Sequence, residues 1–424
     1  MTDIAIRKSP FNKYNPIGLE EESAAIRTIR SGVLSGFVGA WCPEFNGGPQ
    51  VQSMEREFAS HFGVRHAISV NSWTSGLIAA IGALGLDPGD EVIVSPWTMS
   101  ATATAILIWN CVPVFADIDE ETFCISPESV RKLITPRTKA IIAVDIFGQS
   151  ADNEQLLEIC HEFKLFLVSD TAQAPNAKRN NEYAGTKAHI GGISLNYHKH
   201  IHCGEGGVIF TNDDQLALRM KLIRNHGEVA ISNMSENELP EVQHGIIGYN
   251  FRLGEIEASI AREQLKKLSR LTALRSEVAK KITNGLQKFE GLILPRIDQG
   301  NSHVFYMYPI KLNFDILNKN REEICEELEK AGLFPLERGY ENLHLLSIYK
   351  KLNAFGKSEI PWSLDPYFNK SNYEPGSCPV AERLDQQELF LLPINNYEFS
   401  NEDIIDVIKI FEYVWNKNSW KMKL

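Results

Sequence analysis

One stretch concentrates reactive side chains: Ser194-Leu195-Asn196-Tyr197-His198-Lys199-His200-Ile201-His202-Cys203-Gly204-Glu205-Gly206-Gly207. Three histidines alternate around one lysine, and a cysteine adjoins a glycine-rich turn. Three chemistries come into question: a metal site, a phosphate loop and a reactive amine. His198, His200 and His202 have the i, i+2, i+4 spacing of one strand face. Such a face does not converge three imidazoles on one ion, and no carboxylate or second cysteine joins them at metal-site spacing. A P-loop needs GxxxxGK[ST], which is absent. Lys199 falls on a short loop between two apolar runs, "GGISLNY" and "GEGGVIF", inside a domain rather than on a charged face. Dry or cationic surroundings lower the pKa of such a lysine and make it nucleophilic.

Other candidates follow other apolar runs. After residues 66–70 comes "NSWTSGL", leading into a helix. Ser72 and Thr74 there either form an ordinary N-cap or, with the helix amides, cradle an anion. After 91–95 comes Trp97, which is either core or a stacking face for a flat ligand. After 166–169 comes Asp170, a carboxylate that is costly at the end of an apolar strand unless partnered. It reads as a structural cap or as the counter-ion of a protonated heterocycle. An anion cradle (Ser72, Thr74, Ser194), a stacking face (Trp97), an acid for a ring nitrogen (Asp170) and an amine for an aldehyde (Lys199) together meet the demands of pyridoxal phosphate.

Positioning these residues requires a sheet. Short β-branched runs at 66–70, 91–95, 112–116, 140–145, 166–170 and 207–211 alternate with helical stretches such as "TSGLIAAIGALGL" and "NEQLLEICHEFK". That alternation predicts an α/β domain with a mostly parallel central sheet flanked by helices, whose ligands bind beyond the carboxyl ends of the strands. Residues 254–290 carry a long helical pattern. Beyond it a smaller α+β unit is expected, with a strand at 304–312, helices at 321–332 and 401–417, and an irregular excursion over 351–378. The expected domains are 1–272, the large cofactor-binding unit, and 273–424, the small unit, with segment 1–30 packing against the latter.

The chain of 424 residues is 43% hydrophobic and 23% charged, a globular composition. Its formal charge of -11 speaks against nucleic-acid binding. No apolar run reaches the ~18 residues of a membrane helix. Seven dispersed cysteines suit a reducing compartment, and "MTDIAIRKSPFNKYNP" has no apolar signal core, so a cytoplasmic location is expected.

The sequence resembles the DegT/StrS group of sugar aminotransferases, of the aspartate-aminotransferase fold type (fold type I of pyridoxal-phosphate enzymes). The markers are "SGVLSG", "GDEVIVSPWTMSATATAI", "VFADID", "ITPRTKAIIAVDIFG", "SDTAQA", "SLNYHKHIHCGEGGVIFTND", "RNHG" and "GYNFRLGEIEASIA". The resemblance implies that Lys199 forms the Schiff base with pyridoxal 5'-phosphate and afterwards shuttles the proton. It implies that Asp170 holds the ring nitrogen, Gln173 lies near the ring hydroxyl, and Trp97 stacks. Ser72, Trp73, Thr74 and Ser194 fall on phosphate-binding positions. Asn250, in "GYNFR", implies a homodimer whose subunits share active sites. His344 is a candidate substrate contact, and His226 lies either near the site or in a structural role.

By the same resemblance an amino group passes from L-glutamate or L-glutamine, through pyridoxamine 5'-phosphate, to a keto sugar. A nucleotide-linked keto-deoxy sugar of surface polysaccharide or antibiotic synthesis is the first expectation. The alternatives are a cyclitol ketone, a pyridoxamine-phosphate-dependent sugar dehydratase, and a non-catalytic amino-sugar sensor. Dehydratase relatives carry histidine where Lys199 stands. Two departures stand out. Trp73 replaces the usual glycine, and a tryptophan adopts positive φ only at a cost. The insertion "FVGAWCPEFNGG" (37–48) is longer than the usual link and is expected to shape the substrate entrance.

Overall fold

The computed structural model describes residues 5–235 and 245–421. Its strands are β1 (Asn12–Lys13), β2 (His66–Val70), β3 (Glu91–Val94), β4 (Val112–Phe115), β5 (Thr138–Val144), β6 (Phe166–Asp170), β7 (Lys178–Arg179), β8 (Glu182–Tyr183), β9 (Ile190–Ser194), β10 (Gly207–Thr211), β11 (Leu292–Ile293), β12 (Tyr308–Leu312), β13 (Glu337–Arg338), β14 (Leu389–Leu392) and β15 (Tyr397–Glu398). Seven of them form the central sheet in the order β2-β10-β9-β6-β5-β3-β4. From β9 to β4 every pairing is parallel, while β10 runs antiparallel to both neighbours. Helices cover both faces, which is why "VIV" in β3 and "IIAV" in β5 are apolar without alternation.

Register then sets the site. Val70, Gly207 and Ser194 lie in one row across the sheet, and Asp170 pairs with Gly192. The carboxyl ends of β2, β6 and β9 therefore share one edge, and Ser72, Asp170 and Lys199 follow them there.

Four helices are α1 (Leu19–Ser31), α2 (Pro49–Phe62), α3 (Trp73–Ala83) and α4 (Ser100–Ile108). Helix α3 is apolar on nearly every side because the sheet and α4 enclose it. The helix Glu255–Leu286, 32 residues and about 48 Å long, crosses the whole molecule. Buried Glu255 at its start accepts N–H bonds from Gln50 (2.7 Å) and Val51 (3.4 Å), the first turn of α2. Its middle packs Ala258, Ala261 and Leu268 beside Ile193 and Val208 of the sheet. Its end packs Ala279, Ile282 and Leu286 beside Tyr308, Phe411 and Trp415 in a second core. Residues 272 and 273 lie inside this helix, so no linker stands at that point.

The second core sits under the antiparallel sheet β11-β12-β14-β13. Phe11 enters it, β1 pairs with β15, and Arg7 bridges Asp403 (2.7 Å) and Asp406 (2.8 Å). Residues 1–4 of the N-terminal segment are outside the described range.

Two local expectations are corrected. The run 304–312 is a strand only from Tyr308, because Phe305 turns at φ 51° and its amide bonds His303 Nδ1. That turn delivers Tyr306 to Lys199. The segment 198–202 is a looped turn, in keeping with the loop expected around Lys199, and its three histidines share no strand face. No described group of three or more His, Cys, Asp or Glu could hold a metal ion. The excursion 351–378 contains short helical turns, and it covers the edge strand β4. Trp362 donates to the Tyr373 hydroxyl at 2.9 Å, which donates to the Pro113 carbonyl at 2.5 Å. No described helix is long and apolar enough to cross a membrane.

Candidate active site

Lys199 sits on the loop between β9 and β10. Its amide bonds the Asn196 carbonyl (2.9 Å), and Cys203 N bonds the Leu195 carbonyl (3.1 Å), closing the loop on itself. His200, the next residue, is fully buried. Burial first, then the Arg275 guanidinium, push its imidazole well below the usual range, so it is neutral and accepts at Nδ1 from Arg275. Arg275 also donates to the Asn395 carbonyl (3.1 Å) and lies 4.5 Å over the Tyr14 ring. Tyr14 in turn donates to the His200 carbonyl (2.7 Å). The N-terminal segment, the long helix and the small unit thus all grip the residue beside the lysine.

The Lys199 ammonium group stands 3.5 Å from the Tyr306 hydroxyl and 4.5 Å from that ring's centre. Burial pulls its pKa down from 10.5 to about 8, against the opposing pull of the Asp170 carboxylate. Burial also pushes Tyr306 up to about 12, so the phenol stays neutral.

Asp170 ends β6. Its Oδ1 accepts from Trp73 Nε1 (2.7 Å) and Ala172 N (3.2 Å), and its Oδ2 accepts from Thr102 Oγ1 (2.7 Å). Thr98 Oγ1 lies 2.7 Å behind Thr102 Oγ1. Gln173 is locked between Phe147 N (2.8 Å to Oε1) and the Tyr340 hydroxyl (3.3 Å from Nε2).

For Ser72 the capping reading matches the geometry: Oγ accepts from Ser75 N at 3.1 Å. Thr74 is exposed on the first turn. Ser194 is buried, and its Oγ accepts from Asn196 N (3.2 Å). Trp73 is the first residue of a right-handed helix and adopts no positive φ, which removes the conformational objection to it. Its indole turns inward, not toward an anion.

Trp97 takes a packed position. The ring is fully buried among Phe123, Phe147 and Tyr340, with centroids 6.0–6.2 Å away, and Nε1 donates to Asn342 Oδ1 at 3.0 Å. His344 is likewise packed. It is fully buried, with Nε2 3.0 Å from Glu382 Oε1 and its ring beside Phe115, where it binds the C-terminal excursion to β4. His226 and Asn250 are exposed and share a patch with Arg252, which donates to Asn250 Oδ1 (2.8 Å) and lies 3.4 Å from His226 Nε2. The structure does not join this patch to Lys199 within the chain. Sequence reasoning missed Tyr306, Tyr340, Thr102 and Arg275. Only Thr102 carried a local signal, in the threonine-rich stretch that opens α4.

These residues suit pyridoxal phosphate. The amine has a lowered pKa, and the carboxylate keeps an acceptor position open. The first amides of α3 have no intrahelical partner, and β10 approaches them through Gly207, where an added Cβ would lie 2.8 Å from Trp73 N. In a comparison with known families, the model described as the DegT/DnrJ/EryC1/StrS aminotransferase family matches residues 43–363. Spore coat polysaccharide biosynthesis protein SpsC of Bacillus subtilis is 31% identical over 353 residues, covering 83% of this chain and 88% of that one. GDP-perosamine synthase of Caulobacter vibrioides is 34% identical over 284 residues, covering 67% and 74%. The solved aminotransferase from Psychrobacter cryohalolentis superposes with a TM-score of 0.80 at 26% identity, covering 97% and 100%. The chain belongs to the DegT/DnrJ/EryC1/StrS aminotransferase family, and it is a pyridoxal-phosphate-dependent aminotransferase.

Proposed function

We propose that this enzyme moves an amino group from L-glutamate or L-glutamine to a nucleotide-linked keto-deoxy sugar. The observation that carries the reading is the pairing of Lys199, whose amine is pushed down to about 8, with an Asp170 carboxylate held by three donors. Bound pyridoxal phosphate supplies an aldehyde for the amine and an electron-withdrawing ring. Lys199 would hold the cofactor through its amine and would serve as the general base and acid that moves the proton. Asp170 would accept a hydrogen bond from the ring N–H and hold that nitrogen protonated. Gln173, fixed by Phe147 and Tyr340, faces the ring's edge. Thr74 and the first amides of α3 take the phosphate. Trp97 backs the site through Tyr340 and Phe147. The kind of acceptor is supported by two relatives, one named for spore coat polysaccharide synthesis and one for GDP-perosamine synthesis. Lys199 itself weighs against the dehydratase alternative.

We further propose a homodimer in which the exposed Asn250 reaches the phosphate in the partner's site. Lys199→Ala tests the central role. Turnover of glutamate with a keto sugar should fall by several orders of magnitude, and borohydride should no longer fix cofactor to the chain. Wild-type turnover in that variant would sink the proposal.

A further inference from the structure

We propose that Trp73 is a positioning residue, which orients the Asp170 carboxylate toward the ring nitrogen of the cofactor through its indole N–H. The inference rests on the reading of Lys199 and Asp170 as the cofactor site. A buried indole N–H requires an acceptor, and this one, 5% exposed, finds Asp170 Oδ1 at 2.7 Å. The seat of the ring is built to size. An added Cβ at Gly192 would meet Trp73 ring carbons at 2.2 Å, and one at Gly76 would meet them at 2.6 and 2.8 Å. Two glycines on different elements thus leave room for one side chain.

The acceptor count gives the consequence. An ionised carboxylate has about four lone-pair sites. Trp73 and Ala172 occupy those on Oδ1, and Thr102 occupies one on Oδ2. One acceptor direction remains, on Oδ2. Donors on both oxygens stop the carboxylate from rotating about its Cβ–Cγ bond, so this last direction is fixed before any ligand arrives. Without the indole N–H, Oδ1 keeps only the longer Ala172 bond, and the carboxylate is held less firmly in that orientation.

The test measures affinity, not turnover. Apo protein is titrated with pyridoxal phosphate and with its carbocyclic analogue, in which carbon replaces the ring nitrogen. Trp73→Phe should weaken pyridoxal phosphate about tenfold and leave the analogue unchanged. The same selective loss is expected when position 73 carries the benzothienyl isostere of tryptophan, which keeps the bicycle, drops the N–H and guards against misfolding in the Phe variant. Equal weakening of both ligands, or no weakening of either, would overturn the positioning role. If wild-type protein forms no borohydride-stable adduct with pyridoxal phosphate at Lys199, the underlying cofactor site fails as well.

Discussion

Lys199 shows how burial and charge divide the work on one residue. Dry surroundings bring its amine to about 8, so roughly one molecule in ten carries the neutral form at pH 7. Only that form attacks an aldehyde. Capture of pyridoxal phosphate by apo protein should therefore speed up with pH and level off above an apparent pKa near 8. Stopped-flow absorbance between pH 6.5 and 9.5 would show it. A rate still climbing tenfold per unit at pH 9.5 would mean that the amine is not desolvated. Lys199 and Asp170 were legible in the sequence because each follows an apolar run at a strand's carboxyl end. Tyr306 and Tyr340 were not, since each reaches the site from the second unit by tertiary packing alone. Trp97 and His344 are less easily read: residue type left ligand contact and packing both open, and the structure encloses both in packed surroundings.

Helix α3 shows what one large side chain demands of its neighbours. Gly76 lies inside that helix, where alanine would ordinarily add about 0.5–1 kcal/mol of stability. Here its Cβ would press on the Trp73 ring at 2.6 Å. Gly76→Ala should instead destabilise by about 1–3 kcal/mol, and the sign should reverse in a Trp73→Ala background. Chemical denaturation of the four proteins measures both effects. The central-sheet strands were readable from sequence to within a few residues, because runs such as "AIIAVD" and "FLVSD" are largely apolar and bounded by turns. The run 304–312 was read too long. A β-rich composition does not reveal that Phe305 takes a left-handed backbone, which depends on where His303 and Tyr306 must go.

At the scale of the molecule, the patch of His226, Asn250 and Arg252 leaves side chains exposed on the surface. In the proposed dimer it completes the neighbour's site, and that arrangement has an arithmetic signature. Lys199→Ala and Asn250→Ala each disable the homodimer. A mixed dimer holds one intact site, with Lys199 from one subunit and Asn250 from the other. After random reassortment of equal amounts, activity should return to about a quarter of wild type. No return on mixing, with exchange verified by mass, would place Asn250 outside the partner's site. Neither the pairing of subunits nor the patch's purpose was legible in composition or periodicity, because both depend on a surface that one chain leaves open.

The rod Glu255–Leu286 belongs to both hydrophobic interiors at once. Neither body can seal its interior without it, and a cut at residue 272 would sever a continuous ladder of backbone bonds. The two halves are thus not exchangeable modules. Recombination between relatives that keeps this enzyme intact must inherit the rod whole, together with the apolar walls that receive each of its ends.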